Sequence, residues 1–274
     1  MNKHATALYN LAPAWAQNLL LTGFGARLDR ERYGGRYTEY RELLGRTEWL
    51  SRTELEEYQD ERLRFVVAHA YEHVPFYRKR FAENKLTPHD IRTRHDLPKL
   101  PLLTKDDIRR NFNELRSQLV PARSLKTGHT SGTTGTPLTV GYDNDTVWMT
   151  YATFDRHYRW AGCHMGRDGN RVAVARGNVI VPLTQKKPPF WRHNRQHRQL
   201  LLSSFHLSKT TLPAYFDALA EFKPDVMDGY PSTLYVLAKY LQGRGQTFPV
   251  KAAITSSETL HDFQRALIEE RFCC

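Results

Sequence analysis

The segment HTSGTTGTPLTV, from His129 to Val140, concentrates residues able to hold an anion. From Thr130 to Pro137 five hydroxyl residues and two glycines stand together. Gly132 and Gly135 allow the backbone to turn inward and present N–H groups, an arrangement that suits phosphate. The hydroxyls of Thr130, Ser131, Thr133, Thr134 and Thr136 add neutral donors that can rotate onto phosphate oxygens. The spacing is not that of a lysine-bearing nucleotide loop. Two residues separate the glycines, and Leu138 rather than a lysine follows the loop proline. The same composition suits an ordinary hairpin turn between LKTGH and LTVGY. On these residues alone, cradle and turn both stand.

Other reactive residue types are scattered. Cys163, Cys273 and Cys274 cannot build a disulfide framework, because adjacent cysteines pair with each other only under strain. His193 and His197 would share a face if they lay on a helix, but no third ligand is near, so no metal set is assigned. The formal charge of +11 favours an acidic partner or serves solubility alone. Its main concentration is QKKPPFWRHNRQHR, Gln185 to Arg198. There Phe190 and Trp191 stand among Arg192, Arg195 and Arg198, a pattern that could bind single-stranded nucleic acid; the alternative is a long loop between strands.

These segments must be positioned by a fold, and hydrophobic spacing indicates which. Residues 1–123 read as a helical region. LAPAWAQNLLLTGFGA predicts an amphipathic helix rather than a signal peptide, with membrane-surface contact as the alternative, and no apolar run is long enough to span a bilayer, which makes the cytoplasm the expected compartment. Thr53-Glu54-Leu55-Glu56 reads as a capping box, followed by Leu55, Leu63, Phe65, Val66, Ala70 and Val74 until Pro75 stops the run. Pro98 and Pro101 predict an extended entry to a helix capped by Thr104. Residues 124–274 alternate strand and helix. Strands are predicted at Arg171–Ala175, Leu200–Ser204, the run into Gly229 and the run into Ser256, with helices beginning at Ser208 and at Pro231 and a last one over LHDFQRALIEERF. The fold class is therefore α/β, a helical N-terminal region followed by a largely parallel sheet covered by helices.

Thr-Ser-Gly-Thr-Thr-Gly-x-Pro resembles the phosphate loop of the adenylate-forming enzymes, the acyl-CoA synthetase and AMP-binding superfamily. LPLLTKDDIR, FKPDVMDGYPSTL and ITSSETL with its following QRALIEERF helix are similar to segments of the phenylacetate–CoA ligase branch, which includes the capsular-polysaccharide CapK-type proteins. The resemblance implies a two-step reaction. A carboxylate attacks the α-phosphorus of ATP to give an acyl-adenylate and pyrophosphate, and a thiol, often that of coenzyme A, then displaces AMP. It implies Mg²⁺ as the charge-neutralising cofactor. It places Thr130, Ser131, Gly132, Thr133, Thr134 and Gly135 on the β- and γ-phosphates. Ser256, Ser257 and Glu258 would border adenine, and Gly229, Tyr230 and Pro231 the acyl side. Tyr230 also suits a half-buried aromatic at a helix start, and Glu258 also suits the N-terminus of the following helix.

Family members continue past the final helix with a Tyr-Gly-x-x-Glu loop, a ribose-binding Asp and a mobile C-terminal domain, and no segment here resembles them. The resemblance therefore implies an incomplete adenylation domain, roughly three-fifths of a typical member. Such a chain is expected to have an open sheet edge and little turnover of its own. A non-catalytic scaffold and a basic nucleic-acid-binding module are the competing expectations.

Overall fold

The computed structural model describes residues 3–130 and 137–274, and of residues 3–5 the backbone only. In chain order the helices are α1 (Lys3–Leu11), α2 (Ala14–Arg32), α3 (Tyr37–Thr47), α4 (Arg52–His73), α5 (Pro75–Glu83) and α6 (Lys105–Arg110). Strands β1 (Lys126–His129) and β2 (Thr139–Tyr142) precede α7 (Asn144–Trp160). Then come β3 (Val172–Ala175), β4 (Trp191–Asn194), β5 (Gln199–Leu202), α8 (Leu212–Phe222), β6 (Val226–Gly229), α9 (Pro231–Gly243), β7 (Ala252–Thr255) and α10 (Asp262–Phe272). Contacts divide the chain into two compact units, 33–152 and 1–32 with 153–274. This division by contact cuts across the one read from sequence at 123/124.

In the unit 33–152, Val67, Phe81 and Ile91 form a small core joined by Leu63, Tyr71, Leu86 and Leu100. Helix α4 starts differently from the expectation. Its cap is Ser51, not Thr53: Ser51 Oγ accepts from the Glu54 amide, and Glu54 Oε2 accepts from the Ser51 amide at 2.8 Å. Ser51 is the residue with extended backbone, so its hydroxyl alone can turn back onto the free donors. Pro75 ends α4 by holding Val74 extended, then serves as the first residue of α5. Pro98 is not in an extended entry but inside a 3₁₀ turn at Arg94–Lys99, tied by Asp96. Thr104 caps α6 as predicted, in a box with Asp107. β1 and β2 pair antiparallel, His129 opposite Thr139.

The second unit is built on a five-stranded sheet in the order β4-β5-β3-β6-β7. β5, β3, β6 and β7 run parallel and β4 lies antiparallel at one edge. Side chains alternate between the two faces as strand geometry requires. Ala173, Ala175, Leu200, Leu202 and Met227 meet Tyr215, Leu219, Leu234, Leu237, Leu267 and Phe272 from α8, α9 and α10. Val172 and Val226 face the other way, against Tyr158 of α7 and Cys163. Helix α8 begins at Leu212, not Ser208, because Ser208 and Thr211 first exchange hydrogen bonds in a turn.

Two further expectations are corrected at the β4 edge. Gln185–Arg198 is a loop only in part: Lys186, Lys187 and Pro188 are exposed and lack regular structure, but Trp191–Asn194 form β4, and Phe190 and Arg192 are buried. His193 and His197 lie on this strand and in the turn after it, so helical spacing does not relate them. The N-terminal helices also present the reverse of the expected amphipathic face. Leu11, Trp15, Leu19 and Phe24 are exposed, while Gln17 is buried. The cause is the sheet edge, whose unpaired backbone groups need partners. Asn18 Oδ1 accepts from the His193 amide at 2.9 Å and Thr22 Oγ1 from the Arg195 amide at 3.1 Å. Gln17 Oε1 takes the Arg192 Nε, and Arg192 Nη1 donates to the Pro189 carbonyl at 2.8 Å. Among the described residues no helix is long and apolar enough to cross a membrane.

Candidate active site at the carboxyl ends of the parallel strands

The order of connections creates a crevice. The chain passes from β3 through β4 to β5 on one side, then crosses back to β6 on the other side of β3. Strand order therefore reverses between β3 and β6, and open α/β sheets bind ligands outside the carboxyl ends at such a point. Two of the segments singled out in the sequence end there. Gly229 closes β6, opposite Ala175 of β3 and Thr255 of β7. Tyr230 follows with extended backbone, and Pro231 opens α9 because its fixed φ and missing N–H suit that position.

Tyr230 is half-buried and its amide donates to the Ala175 carbonyl at 3.4 Å. Its ring lies against Gly177, just beyond β3, where an added Cβ would meet the ring at 3.1 Å. A glycine there lets the ring close over the strand end. Tyr230 thus occupies the half-buried helix-start position expected of it.

Ser256, Ser257 and Glu258 follow β7. Ser257 has φ of +69°, a left-handed conformation that non-glycine residues adopt at a cost. That turn sends the Glu258 side chain sideways, where Oε2 accepts from the Ser232 amide at 3.0 Å. A carboxylate is favourable at a helix N-terminus. The helix it serves is α9, however, not the following α10, whose start is closed by Gln264 Oε1 accepting from the His261 amide at 3.1 Å. Glu258 therefore ties the turn after β7 to the first turn of α9.

Sequence reasoning missed the charged pair of this site. Asp228, one residue before Gly229, is buried and receives the Arg176 guanidinium, Nε on Oδ1 and Nη2 on Oδ2 at 2.9 Å each. Tyr158 donates its hydroxyl to Asp228 Oδ2 at 2.7 Å. The available signal was a charged residue at the end of each apolar strand run, RVAVAR and DVMD, since a charge buried there needs a partner. Beside them Ser204 Oγ donates to the Arg176 carbonyl at 3.4 Å. Ser203, fully buried, lies 2.8 Å from His206 Nδ1, and its carbonyl accepts from Tyr215, whose hydroxyl burial pushes above its usual pKa.

The phosphate-loop candidates belong to the other unit. Ser131, Gly132, Thr133, Thr134 and Gly135 lie outside the described residues. Thr130 is described and closes the hairpin: its amide donates to the Leu138 carbonyl at 3.0 Å, and its Oγ1 accepts from the Leu138 amide at 2.9 Å. The hairpin expected from LKTGH and LTVGY is thus present, its strands flanking the glycine segment in sequence. Because the Thr130 hydroxyl acts here as acceptor, its proton remains available for a further bond. No group of three or more His, Cys, Asp and Glu side chains that could hold a metal occurs among the described residues.

Comparisons with known proteins bear on this arrangement. No family model matches the chain. It is 30% identical over 269 residues to protein CapK of Staphylococcus aureus, covering 97% of this chain and 58% of that one. It is also 30% identical over 234 residues to the phenylacetate-coenzyme A ligase of Pseudomonas putida, covering 84% of this chain and 51% of that one. Among solved structures it is similar to 2-hydroxyisobutyryl-CoA ligase in complex with 2-HIB-AMP and CoA, at a TM-score of 0.57 and 21% identity. That match covers 82% of this chain and 48% of the other. The chain thus spans about half the length of the relatives it matches.

Proposed function

We propose, from the premise that this chain belongs to the adenylate-forming superfamily, in its phenylacetate–CoA ligase and CapK-like branch, that it serves ATP-dependent activation of a carboxylic acid as an acyl-adenylate. The observation that carries the reading is the tie between the two strand-end segments. Glu258 holds the turn after β7 to the first turn of α9, so groups assigned to adenine and to the acyl part are fixed beside each other. An acyl-adenylate joins those two parts by one phosphate, so its site needs both in fixed register.

In this proposal Tyr230, with Gly229 and Pro231, borders the acyl group, and Ser256, Ser257 and Glu258 border adenine. Thr130, Ser131, Gly132, Thr133, Thr134 and Gly135 hold the β- and γ-phosphates through amides and hydroxyls. Mg²⁺, when bound, neutralises phosphate charge. It commonly keeps most of its shell as water and phosphate oxygens, so a preformed carboxylate cage is not required. Coenzyme A is the proposed acceptor and the cytoplasm the proposed compartment. The CapK-like side of the branch makes assembly of a capsular or exopolysaccharide the proposed setting.

Calorimetric titration with ATP and Mg²⁺ tests the reading. Saturable binding that Gly135→Val weakens, as a branched side chain in a phosphate-binding glycine segment should, is the expected result. A chain that binds neither ATP nor a non-hydrolysable acyl-adenylate mimic would refute it.

A further inference from the structure

The carboxyl end of β3 carries an ion pair that stability alone does not explain. Asp228 is 8% exposed, and both its oxygens are engaged by Arg176 and Tyr158. Removing two charges from water offsets most of their attraction, and well-packed apolar side chains generally stabilise a fold as well. What the pair does supply is orientation. Two nitrogens of the Arg176 fork are held on Asp228, so the guanidinium plane is set by an interior strand. The third nitrogen, Nη1, makes no hydrogen bond among the described residues, and the side chain keeps 30% of its exposure.

The location gives this free edge a use. Arg176 immediately precedes Gly177, against which the Tyr230 ring closes. The Tyr230 hydroxyl also makes no hydrogen bond among the described residues, so polar groups from both sides of the β3–β6 crevice stand ready for a ligand. Charge then restricts what the ligand offers. The ionised side chains named at these strand ends are Arg176 against Asp228 and Glu258. Asp228 already balances the Arg176 charge, so Nη1 brings no net positive charge to draw an anion, whereas a neutral oxygen can accept a hydrogen bond from it.

We propose that Arg176 is a specificity-determining residue whose Nη1 donates to a neutral oxygen on the acyl part of the substrate. The acid activated is then an oxygen-rich one, hydroxylated or carbonyl-bearing, rather than an apolar aryl acetate. This rests on the acyl-adenylate reading above. Asp228 and Tyr158 are positioning residues in this scheme, because they act through Arg176.

Two sulfamoyl-adenosine mimics of an acyl-adenylate test it, one bearing a cyclohexanecarbonyl group and one its polyhydroxylated uronyl counterpart, which offers oxygens around the whole ring. Calorimetry on the intact chain is expected to show the uronyl mimic binding roughly tenfold or more tightly, as suits a hydrogen bond from a charged donor. In Arg176→Met that ratio should fall towards one. Arg176→Lys, which keeps the charge but lacks the fork, should lose most of it as well, and thermal melts establish that each variant is folded. Equal binding of the two mimics by the native chain, or a ratio that survives both substitutions, overturns the proposal and leaves the acyl-adenylate reading intact. Failure of both mimics to bind overturns that reading and this proposal with it.

Discussion

Asp228→Asn isolates the energetic logic of the strand-end pair. The substitution keeps the volume but turns an accepting oxygen into an NH₂ facing the Arg176 donors. Breaking a fully buried pair by removing one partner costs about 3–5 kcal/mol. Arg176 retains 30% of its side-chain exposure, so water takes up part of the freed charge, and a loss of roughly 2 kcal/mol is the expected value. At about 2–4 °C per kcal/mol for a chain of this size, Tm should fall by about 4–8 °C. Replacing both partners, as Arg176→Met with Asp228→Leu, removes the charge instead of stranding it. Only the Tyr158 hydroxyl then loses its acceptor, at about 1 kcal/mol. The double variant should therefore be more stable than the single one. Urea unfolding followed by circular dichroism, with calorimetric melts, measures both. If Asp228→Asn melts with the native chain, or if the double variant is the less stable of the two, the pair is not the buried, mutually dependent unit described here.

Further expectations follow from the same contacts. Ser51→Ala should destabilise by about 1 kcal/mol and Thr53→Ala by a few tenths at most, because Ser51 carries the α4 cap; urea midpoints of the two variants distinguish them. Gln17→Leu strands the Nε of the buried Arg192 and should cost roughly 2 kcal/mol, with faster hydrogen exchange at the His193 and Arg195 amides as α2 loosens from β4. Hydrogen bonds from Ser51, Thr87 and Thr104 hold the carboxyls of Glu54, Asp90 and Asp107 below their usual range. The unfolded chain therefore binds protons at higher pH than the native one. The stabilisation is complete above the ordinary carboxylate range, about pH 4, and is lost as pH falls through the lowered native values. A pH series of melts should show that loss below about pH 4 and none between about pH 6 and 7 from these groups.

Much of this protein was determined by its sequence alone. Alternating apolar runs place β3, β5, β6 and β7 within a few residues, and Pro231 marks the start of α9, because strand period and proline geometry are local properties. The family is legible in four short motifs, and two of them do end at the same crevice. Tertiary structure alone decided the rest. Helix α2 buries Gln17 and exposes Trp15 because its partner is a sheet edge with unpaired amides, and no helical periodicity encodes what lies opposite a helix. The basic run around Arg192 becomes an edge strand for the same reason, and the buried Arg192 is answered by Gln17, 175 positions away, as well as by the nearby Pro189 carbonyl. Arg176 and Asp228 stand 52 positions apart and meet only because β3 and β6 pair in register. Local chemistry selects the elements, and the pairing of distant strands selects which charges meet.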